Sequence, residues 1–338
     1  MAASEFFTIV QYGKETTKGT AVAAARIRAG VAPRITTDSK VELIPEQLNV
    51  RMKFRRAHVY ERLYQNTLST PHAGFQQLVL PFLTGVKGNV TPTEQTPSQG
   101  DYLWTFTPNL TAAAGSNTPD SFTLQLGDDE QAWRAPYCMT PRISLKGSVS
   151  QDGGAAPVSL EQEIFGRFIE ENAFTGALSL ENSTPINSKL AQLWVNSAWA
   201  SVGTTEVSDA LVDFGLEIIT GVHPVFRGAT TNYFNAHREG EMDLTLALTI
   251  DSVLRDELLS SQQAGELQVL RLKLNGPQIG TGVNHSLIVD ASGVWEDVTP
   301  RDSSDRGDNL AVLAFHCHYD MTGAKGFTIL LSTNQATF

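Results

Sequence analysis

The sequence is short of several features that mark whole classes of protein. It has no run of about 18 apolar residues, so we expect no transmembrane helix. Its first residues, MAASEFFTIVQYGKETTKG, lack a basic segment followed by an apolar one, and we expect no secretory signal. The only two cysteines, Cys138 and Cys317, have no CxxC partner. A zinc ribbon or redox dithiol is therefore not predicted, and both thiols are expected to be free and buried in strands.

Positive charge is also scarce, and it is unevenly distributed. The formal net charge is −11, from 25 Lys and Arg against 36 Asp and Glu. Residues 1–172 hold 16 basic and 17 acidic residues, whereas residues 173–338 hold 9 and 19. Tight nucleic-acid binding needs basic residues against the phosphates and is not expected, although an acidic surface can face DNA that has to slide past. The one dense basic cluster, at 51–56, is interpreted as the solvent or interface side of a strand.

Motifs that indicate catalysis are missing. The sequence has no GxSxG elbow, no Walker loop and no HExxH. His316 and His318 share a strand face and would supply two metal ligands, but no further ligands are apparent and a polar sheet face is favoured. Paired carboxylates at 161/163, 170/171 and 128–130 are interpreted as strand, linker and turn positions rather than acids that flank a sugar. We predict no enzyme, no catalytic residue, no cofactor and no metal.

The apolar residues that are present alternate with polar ones over many short segments. Tyr102–Phe106, Phe122–Leu126 and Leu244–Ile250 have a period of two, which is typical of strands with one buried face. Lys189–Asn196 fits a helix or a strand, and a turn-like GTT at 203–205 favours the strand. The charged segment 300–309 is expected to be a turn or loop. The sequence therefore predicts a mainly β protein.

Two helices are predicted among these strands. Thr-Pro at 70–71 provides a cap and a favoured first residue for a helix that ends over 81–85. A second helix is capped by Asp251 or Ser252 and ends at Gly265. Each half of the chain thus has strands, one helix near its middle, and further strands with a long polar loop.

The repeated order of elements predicts two related β-rich domains, although identity between the halves is low. The predicted divisions are an N-terminal arm at 1–35, a first domain at 36–172, a linker at 173–188 and a second domain at 189–338. The arm could order against a neighbouring subunit or simply fray, and the residues leave both open. Strands with strong aliphatic faces leave edges that invite pairing with another chain, which favours assembly as the purpose of the protein.

Several segments resemble the tail tube proteins of long-tailed, non-contractile bacteriophages. In the first half they are KGTAVAAA, GFQQLVLPFLTG, YLWTFTP, PDSFTLQLGDDEQAW, ISLKGSVSQDGGAAPVSLEQEIFG and FTGALS. In the second half they are GTT at 203–205, DFGLEIITGVHP and EGEMDLTLALTIDS. The resemblance covers most of the chain and consists of strand and turn residues in a matching order.

The resemblance implies a β-sandwich or half-barrel tube domain with a flanking α-helix. In that family, subunits form rings whose inner sheets join into a continuous β-barrel, and the rings stack into a hollow tube. DNA passes through an acidic lumen during genome ejection, without specific binding. Most members have one tube domain and form hexameric rings. This chain is about twice as long, so the resemblance implies a homotrimeric, pseudo-hexameric ring; six subunits would be needed if the second half is a decorating domain.

Partners and location follow from the same resemblance. The implied partners are further copies of the chain, a tape-measure protein, a tail terminator and tail-tip proteins, with no membrane. The protein would belong to the virion tail and would reside in the host cytoplasm during assembly. Alternatives are another phage tail structural protein, such as a tail-tip or terminator protein, or a β-sandwich carbohydrate-active enzyme.

Candidate residues fall into two groups. The candidates for the acidic lumen are Asp213, Glu217 and Asp243. The candidates for contacts between rings or subunits are Lys18, Gly19, Thr20, Lys87, Asn89, Asp128, Asp129 and Glu130. The loops at 85–101 and 109–120 are further candidates for contact with a neighbouring subunit, and 109–120 could instead form the outer surface of the tube.

Overall fold

The computed structural model of the chain describes residues 8–31, 33, 35, 36, 38–46, 49, 51–149, 156–208, 210–251, 255–305 and 308–338. Strands make up 53% and helices 10%, and the sheets are large and antiparallel. The predicted mainly β class is therefore confirmed.

The strands are numbered in chain order. Up to residue 172 they are β1 (Ile9–Lys14), β2 (Arg26–Ile27), β3 (Ser39–Pro45), β4 (Phe54–Arg62), β5 (Tyr64–Thr70), β6 (Thr93–Glu94), β7 (Tyr102–Phe106), β8 (Phe122–Gly127), β9 (Ala132–Ser148), β10 (Val158–Gly166) and β11 (Glu170–Asn172). Beyond it they are β12 (Ala191–Asn196), β13 (Glu206–Val207), β14 (Leu211–Ile219), β15 (Val222–Val225), β16 (Ala236–Glu239), β17 (Asp243–Asp251), β18 (Gln268–Gly280), β19 (Val283–Asp305), β20 (Asp308–Cys317) and β21 (Phe327–Thr333).

Two long strands, β9 and β19, each belong to two sheets along different parts of their length. Sheet I has the order β5-β10-β9-β14-β17-β20-β19. Sheet II has the order β6-β7-β21-β19-β18-β12-β13. Sheet III has the order β2-β1-β8-β9-β11. The pairs β3–β4 and β15–β16 form separate two-stranded sheets.

Gly293 marks the point where β19 passes from sheet II to sheet I. It is opposite Gln268 of β18 on one side and Cys317 of β20 on the other. A Cβ at this position would lie 2.1 Å from the carbonyl oxygen of His316. Glycine is required here because the two backbones approach too closely for any side chain.

One apolar core joins sheets I and II. It includes Leu145 and Leu246 from sheet I together with Leu272 and Leu331 from sheet II, all at most 1% exposed. Strands of both sheets direct apolar side chains into it, so the two sheets share this core. A second core lies under sheet III, and Phe338 packs against both cores.

The predicted first helix begins later than expected. Thr70 is the last residue of β5 and pairs with Leu160, so the predicted helix start at 70–71 is wrong. Helical structure runs as a 3₁₀ turn at Phe75–Leu78, a short helix α1 at Val79–Pro81 and a π turn at Phe82–Val86, and every one of these residues is buried. The segment is therefore a core element rather than an amphipathic surface helix.

The second helix matches its prediction at the C-terminal end. Helix α2 spans Arg255–Ala264, and Gly265 follows with a φ of 64°, as expected of a glycine that ends a helix. Of the two predicted caps, Asp251 ends β17 and Ser252 lies outside the described residues. Shorter 3₁₀ turns lie at Ala112–Ala114, Ser188–Leu190 and Trp199–Ser201. No helix in the described part of the chain is long and apolar enough to cross a membrane.

The predicted strands are largely confirmed, with two differences. Among the confirmed strands, the segment over 189–196 is a strand from Ala191, as favoured. The two differences concern β8 and residues 300–305. Strand β8 is buried along its whole length, whereas one exposed face was expected. Residues 300–305 continue β19 instead of forming a loop, and β20 resumes at Asp308.

Strand pairing crosses the predicted linker at 173–188. Strand β9 pairs with β14, and β7 pairs with β21, so the predicted domains 36–172 and 189–338 share sheets I and II and one core. Within the predicted arm, β1 pairs with β8 along its length, while residues 1–7 lie outside the described residues. The assignment of two related domains stays a prediction.

Candidate functional site: an acidic sheet face

Three of the predicted functional residues lie on the outward face of sheet I. Asp213 and Glu217 alternate along β14 with the buried Phe214 and Leu216, and Asp243 begins β17, whose Leu244 points into the core. Cross-strand register sets Glu217 opposite Thr245 and Asp213 opposite Thr249. The period of two therefore brings all three carboxylates to one surface, away from the core.

More carboxylates than cations share this surface. We call it the acidic face: the outward side chains of β10, the second half of β9, β14 and β17. Its described carboxylates number six, against two cations. The carboxylates are Glu161, Glu163, Asp213, Glu217, Asp243 and Asp251, and the cations are Arg142 and Lys146. The face is about 15 Å wide across its four strands.

Arg142 joins two of these carboxylates across three strands. Its Nε donates to Glu217 Oε1 at 2.7 Å, and its Nη1 donates to Glu163 Oε1 at 2.8 Å. The hydrogen bond from Arg142 lowers the pKa of the Glu217 carboxyl, and the two carboxylates raise the pKa of Arg142. The Glu217 carboxylate therefore stays ionised, and the bridge holds β10, β9 and β14 together on the solvent side.

Asp243 has a different neighbour at the edge of the face. Its Oδ1 lies 2.7 Å from Nε2 of His316 on β20, and the other ring nitrogen of His316 lies 3.5 Å from Glu296. The rings of His316 and His318 have centroids 5.9 Å apart. No group of three or more His, Cys, Asp or Glu side chains among the described residues is arranged to hold a metal ion.

A row of residues that crosses β14, β17 and the neighbouring β20 carries almost no side chain. Gly215, Ala247 and Ala314 lie opposite one another on β14, β17 and β20. No atom of these three residues extends past Cβ, so they form a smooth band over three strands, and Lys146 lies at its end, opposite Gly215 on β9. Such a band presents few charged or hydrogen-bonding side chains.

The predicted contact residues Lys18 and Gly19 are fixed within the chain. Lys18 Nζ lies 3.5 Å from His237 Nε2, and burial lowers the pKa of the Lys18 ammonium. The Gly19 amide donates to Glu15, and its carbonyl accepts from Arg167 Nη1 at 2.9 Å. Thr20 is exposed beside them.

Lys87 and Asn89 lie at the same end of the molecule. Lys87 Nζ donates to the Thr107 carbonyl at 2.7 Å, and the Asn89 amide donates to Asp120 at 3.3 Å. Asp120 also pairs with Lys14 at the end of β1. These residues therefore support the loop at 107–120.

The predicted contact residues Asp128, Asp129 and Glu130 form a turn at the opposite end of β8. Asp128 Oδ1 accepts from the amides of Glu130 and Gln131 at 3.0 and 2.9 Å, and these bonds lower the pKa of Asp128. Asp129 and Glu130 are exposed. The contact candidates thus divide between two ends of sheet III, separated by the length of β8, about 20 Å.

Glu15 is an organising residue that the sequence did not indicate. It is 4% exposed and accepts hydrogen bonds from Gly19, Ser121, Thr123 and the Tyr137 amide, at 2.6 to 2.9 Å. These partners lie up to 122 residues away. Only the tertiary pairing of β1 with β8 reveals them.

A cleft of about 600 Å³ opens beside the loop at 107–120. It is lined by residues of 109–112, 239–244, 317–319 and 326–327, and both apolar and acidic side chains contribute. Neither a scan against protein-family models nor a search of curated proteins gave a match for the chain.

Proposed function

We propose that the chain is the tail tube subunit of a long, non-contractile bacteriophage tail, with the acidic face lining the lumen. The observation that carries the proposal is the gathering of Asp213, Glu217 and Asp243, with three more carboxylates, on one accessible surface of a broad antiparallel sheet. In addition, several of the segments that resemble tail tube proteins form strands of these sheets, among them β7, β8, β10, β14 and β17.

An acidic lumen suits the passage of DNA. Phosphates are repelled by carboxylates, so the genome would not be retained on the wall. Screening limits this repulsion to about 8 Å at physiological ionic strength, which makes the charges that face the polymer directly the ones that matter. The smooth band of Gly215, Ala247 and Ala314 fits the same purpose, because sliding requires weak contacts.

Assembly into a ring would also protect the edges of sheet I. The outermost strands are β5 on one side and the second half of β19 on the other. Joining these edges between copies produces a closed barrel and removes unpaired backbone groups. We propose a homotrimeric, pseudo-hexameric ring, since the chain has about twice the length of a single tube domain.

Electron microscopy of the purified protein tests this proposal. Negative-stain images are expected to show rings and hollow tubes, and averaging of end views is expected to show three copies in each ring. A protein that stays monomeric at high concentration, with no tubes under any condition, would overturn it. Six copies in a ring would refute the trimer but would remain consistent with a tail tube subunit.

Lumen charge is tested on assembled tubes. Asp213→Lys with Asp243→Lys is expected to make tubes that retain double-stranded DNA, with retention lost as salt increases. Glu171→Lys with Glu257→Lys provides the control, because both residues are exposed and lie off the acidic face. Equal DNA retention by both double variants would contradict the assignment of the acidic face to the lumen.

A further inference from the structure

The hairpin β3–β4 has an apolar face that no other described part of the chain covers. Apart from a bridge between Arg62, at the end of β4, and Tyr233, its strands pair only with each other among the described residues. The register puts six apolar side chains on one face: Val41, Leu43, Pro45, Phe54, Ala57 and Val59. Val41 is 56% exposed, Leu43 52% and Phe54 42%.

Such a hairpin requires a partner. An isolated two-stranded ribbon is marginally stable in water, and contiguous exposed apolar surface marks interaction sites. Seven of the exposed large apolar side chains lie between residues 31 and 60, namely Val31, Ile35, Val41, Leu43, Met52, Phe54 and Tyr60. The apolar surface is therefore concentrated in one segment.

The hairpin also differs from the rest of the chain in charge. Residues 39–62 contain six Lys or Arg and three Glu, whereas the whole chain has a net charge of −11. Arg51 and Lys53 lie exposed in the connection between the strands, with Lys53 Nζ 5.0 Å from the Phe54 ring centroid. A basic, apolar ribbon on an acidic protein is complementary to surfaces of a second copy.

The cleft at 109–112 and 239–244 has the matching properties. Leu110, Met242 and Phe327 supply apolar lining. Glu241 is exposed at its rim, and no described residue pairs with its carboxylate. The Glu239 carboxylate, by contrast, is engaged within the chain, because it accepts hydrogen bonds from Ser116 and from the Asn117 amide. The volume, about 600 Å³, is in the range of clefts that bind ligands.

Topology places the hairpin and the cleft at the same end of sheet I, at different strands. The hairpin leads into the start of β5, the outermost strand, where Tyr64 pairs with Gly166. The cleft includes Leu244 near the start of β17 and Cys317 at the end of β20, which lie at that same end. Four to five strand spacings separate them, about 20–24 Å. A contact between them therefore joins copies side by side, in the head-to-tail manner that closes a ring.

We propose that the apolar face of the β3–β4 hairpin of one copy docks in this cleft of the neighbouring copy within the same ring, with Arg51 and Lys53 facing Glu241. This inference rests on the proposed self-assembly of the chain. It specifies which segment of one copy makes the contact and which surface of the neighbouring copy receives it. The contact fixes neighbours in one layer, separately from edge pairing of sheet I.

Photo-cross-linking locates the docking site. With p-benzoyl-phenylalanine at position 43, assembled protein is expected to link to peptides from 107–119, 239–244 or 317–327 of another copy. The same group at position 42, on the opposite face of the hairpin, is the control and is expected to link far less. Links to 126–134, at the other end of β8, would overturn the inference and indicate contact between stacked rings.

Charge exchange tests the complementarity. Lys53→Glu is expected to raise the protein concentration needed for assembly about 2- to 5-fold, as for one exposed ion pair, and Glu241→Lys to do the same. The two changes together are expected to restore assembly, whereas Lys189→Glu, an exposed control, has no effect. Failure of the combined variant to recover would contradict the pairing.

The apolar contact is tested by Leu43→Ser, which is expected to raise the assembly concentration at least tenfold while circular dichroism stays unchanged. Glu42→Ser, on the other face, is the control. Normal assembly by Leu43→Ser would overturn the docking inference without contradicting the proposed tail tube function. No assembly by the unmodified protein would instead refute the proposed function, and the inference with it.

Discussion

Replacing Gly293 with alanine is expected to destabilise the protein strongly, because this residue lies where β19 changes sheets. The added Cβ would lie 2.1 Å from the carbonyl oxygen of His316 and 2.8 Å from Cε1 of Phe315. A carbon and a carbonyl oxygen need about 3.3 Å, so the β20 backbone would have to move by roughly 1 Å.

Several nearby bonds depend on that backbone position. The His318 amide donates to the Ser292 carbonyl at 2.7 Å, and Ser292 Oγ donates to the His318 carbonyl at 2.8 Å. Forcing a methyl group into a packed site costs about 1–3 kcal/mol, and each weakened hydrogen bond about 1 kcal/mol. Alanine recovers about 0.4–1 kcal/mol by restricting the unfolded chain. The expected net loss is about 2–4 kcal/mol in the free energy of unfolding.

Urea unfolding followed by tryptophan fluorescence measures this loss, since Trp104 and Trp295 are buried in the core. Gly215→Ala is the matched control. It is also a strand glycine, but its added Cβ would lie 3.8 Å from the Cβ of Ala247, an ordinary contact. The control is expected to stay within about 1 kcal/mol of the unmodified protein. Equal midpoints for the two variants would refute the argument from close approach.

Three further predictions concern other parts of the molecule. Burial and the Lys18 charge lower the pKa of His237 to about 4, so as the pH falls the histidine is protonated in the unfolded state before it is protonated in the folded state. The melting temperature is therefore expected to fall as the pH is lowered from about 6.5 to 4, and His237→Gln is expected to make this decrease smaller. An unchanged dependence of the melting temperature on pH would contradict the assignment. Phe338 stacks on Tyr12 at 5.6 Å and contacts both cores, so Phe338→Ala is expected to lose about 1–3 kcal/mol in urea unfolding, with Thr337→Ala near neutral. Residues 1–172 and 189–338 made separately are expected to be insoluble, because each would expose a sheet edge and half a core; a soluble fragment with cooperative unfolding would argue for independent domains.

Local periodicity predicted much of the fold. Trp104 and Phe106 are buried, as their alternation in β7 indicates, and the same rule placed Asp213 and Glu217 on one accessible face. These predictions succeeded because a strand needs only its own residues to define its two faces.

The parts that could not be predicted depend on distant partners. Strand β8 is buried on both faces because Glu15 accepts from Thr123, 108 residues away, and Gln125 binds Thr175. Thr70 has the sequence features of a helix cap, but its pairing with Leu160 in the sheet prevails over that local preference. The bridge from Arg142 to Glu217 spans 75 residues and changes the local charge of the acidic face. Sequence spacing does not reveal such contacts.

The pairing of β7 with β21 has a consequence during synthesis. Trp104 donates its indole hydrogen to the Gln335 carbonyl, 231 residues further along the chain. At 5–20 residues per second, a ribosome takes roughly 10–50 s to make the intervening segment. Throughout that time β7 has no partner on the side that β21 will occupy, and the apolar side chains of the core lack half of their neighbours. Nascent chains on one polysome would expose the same unpaired edge close to each other. The cell must keep them apart until release, so folding of this chain is expected to depend on factors that bind unfinished polypeptides.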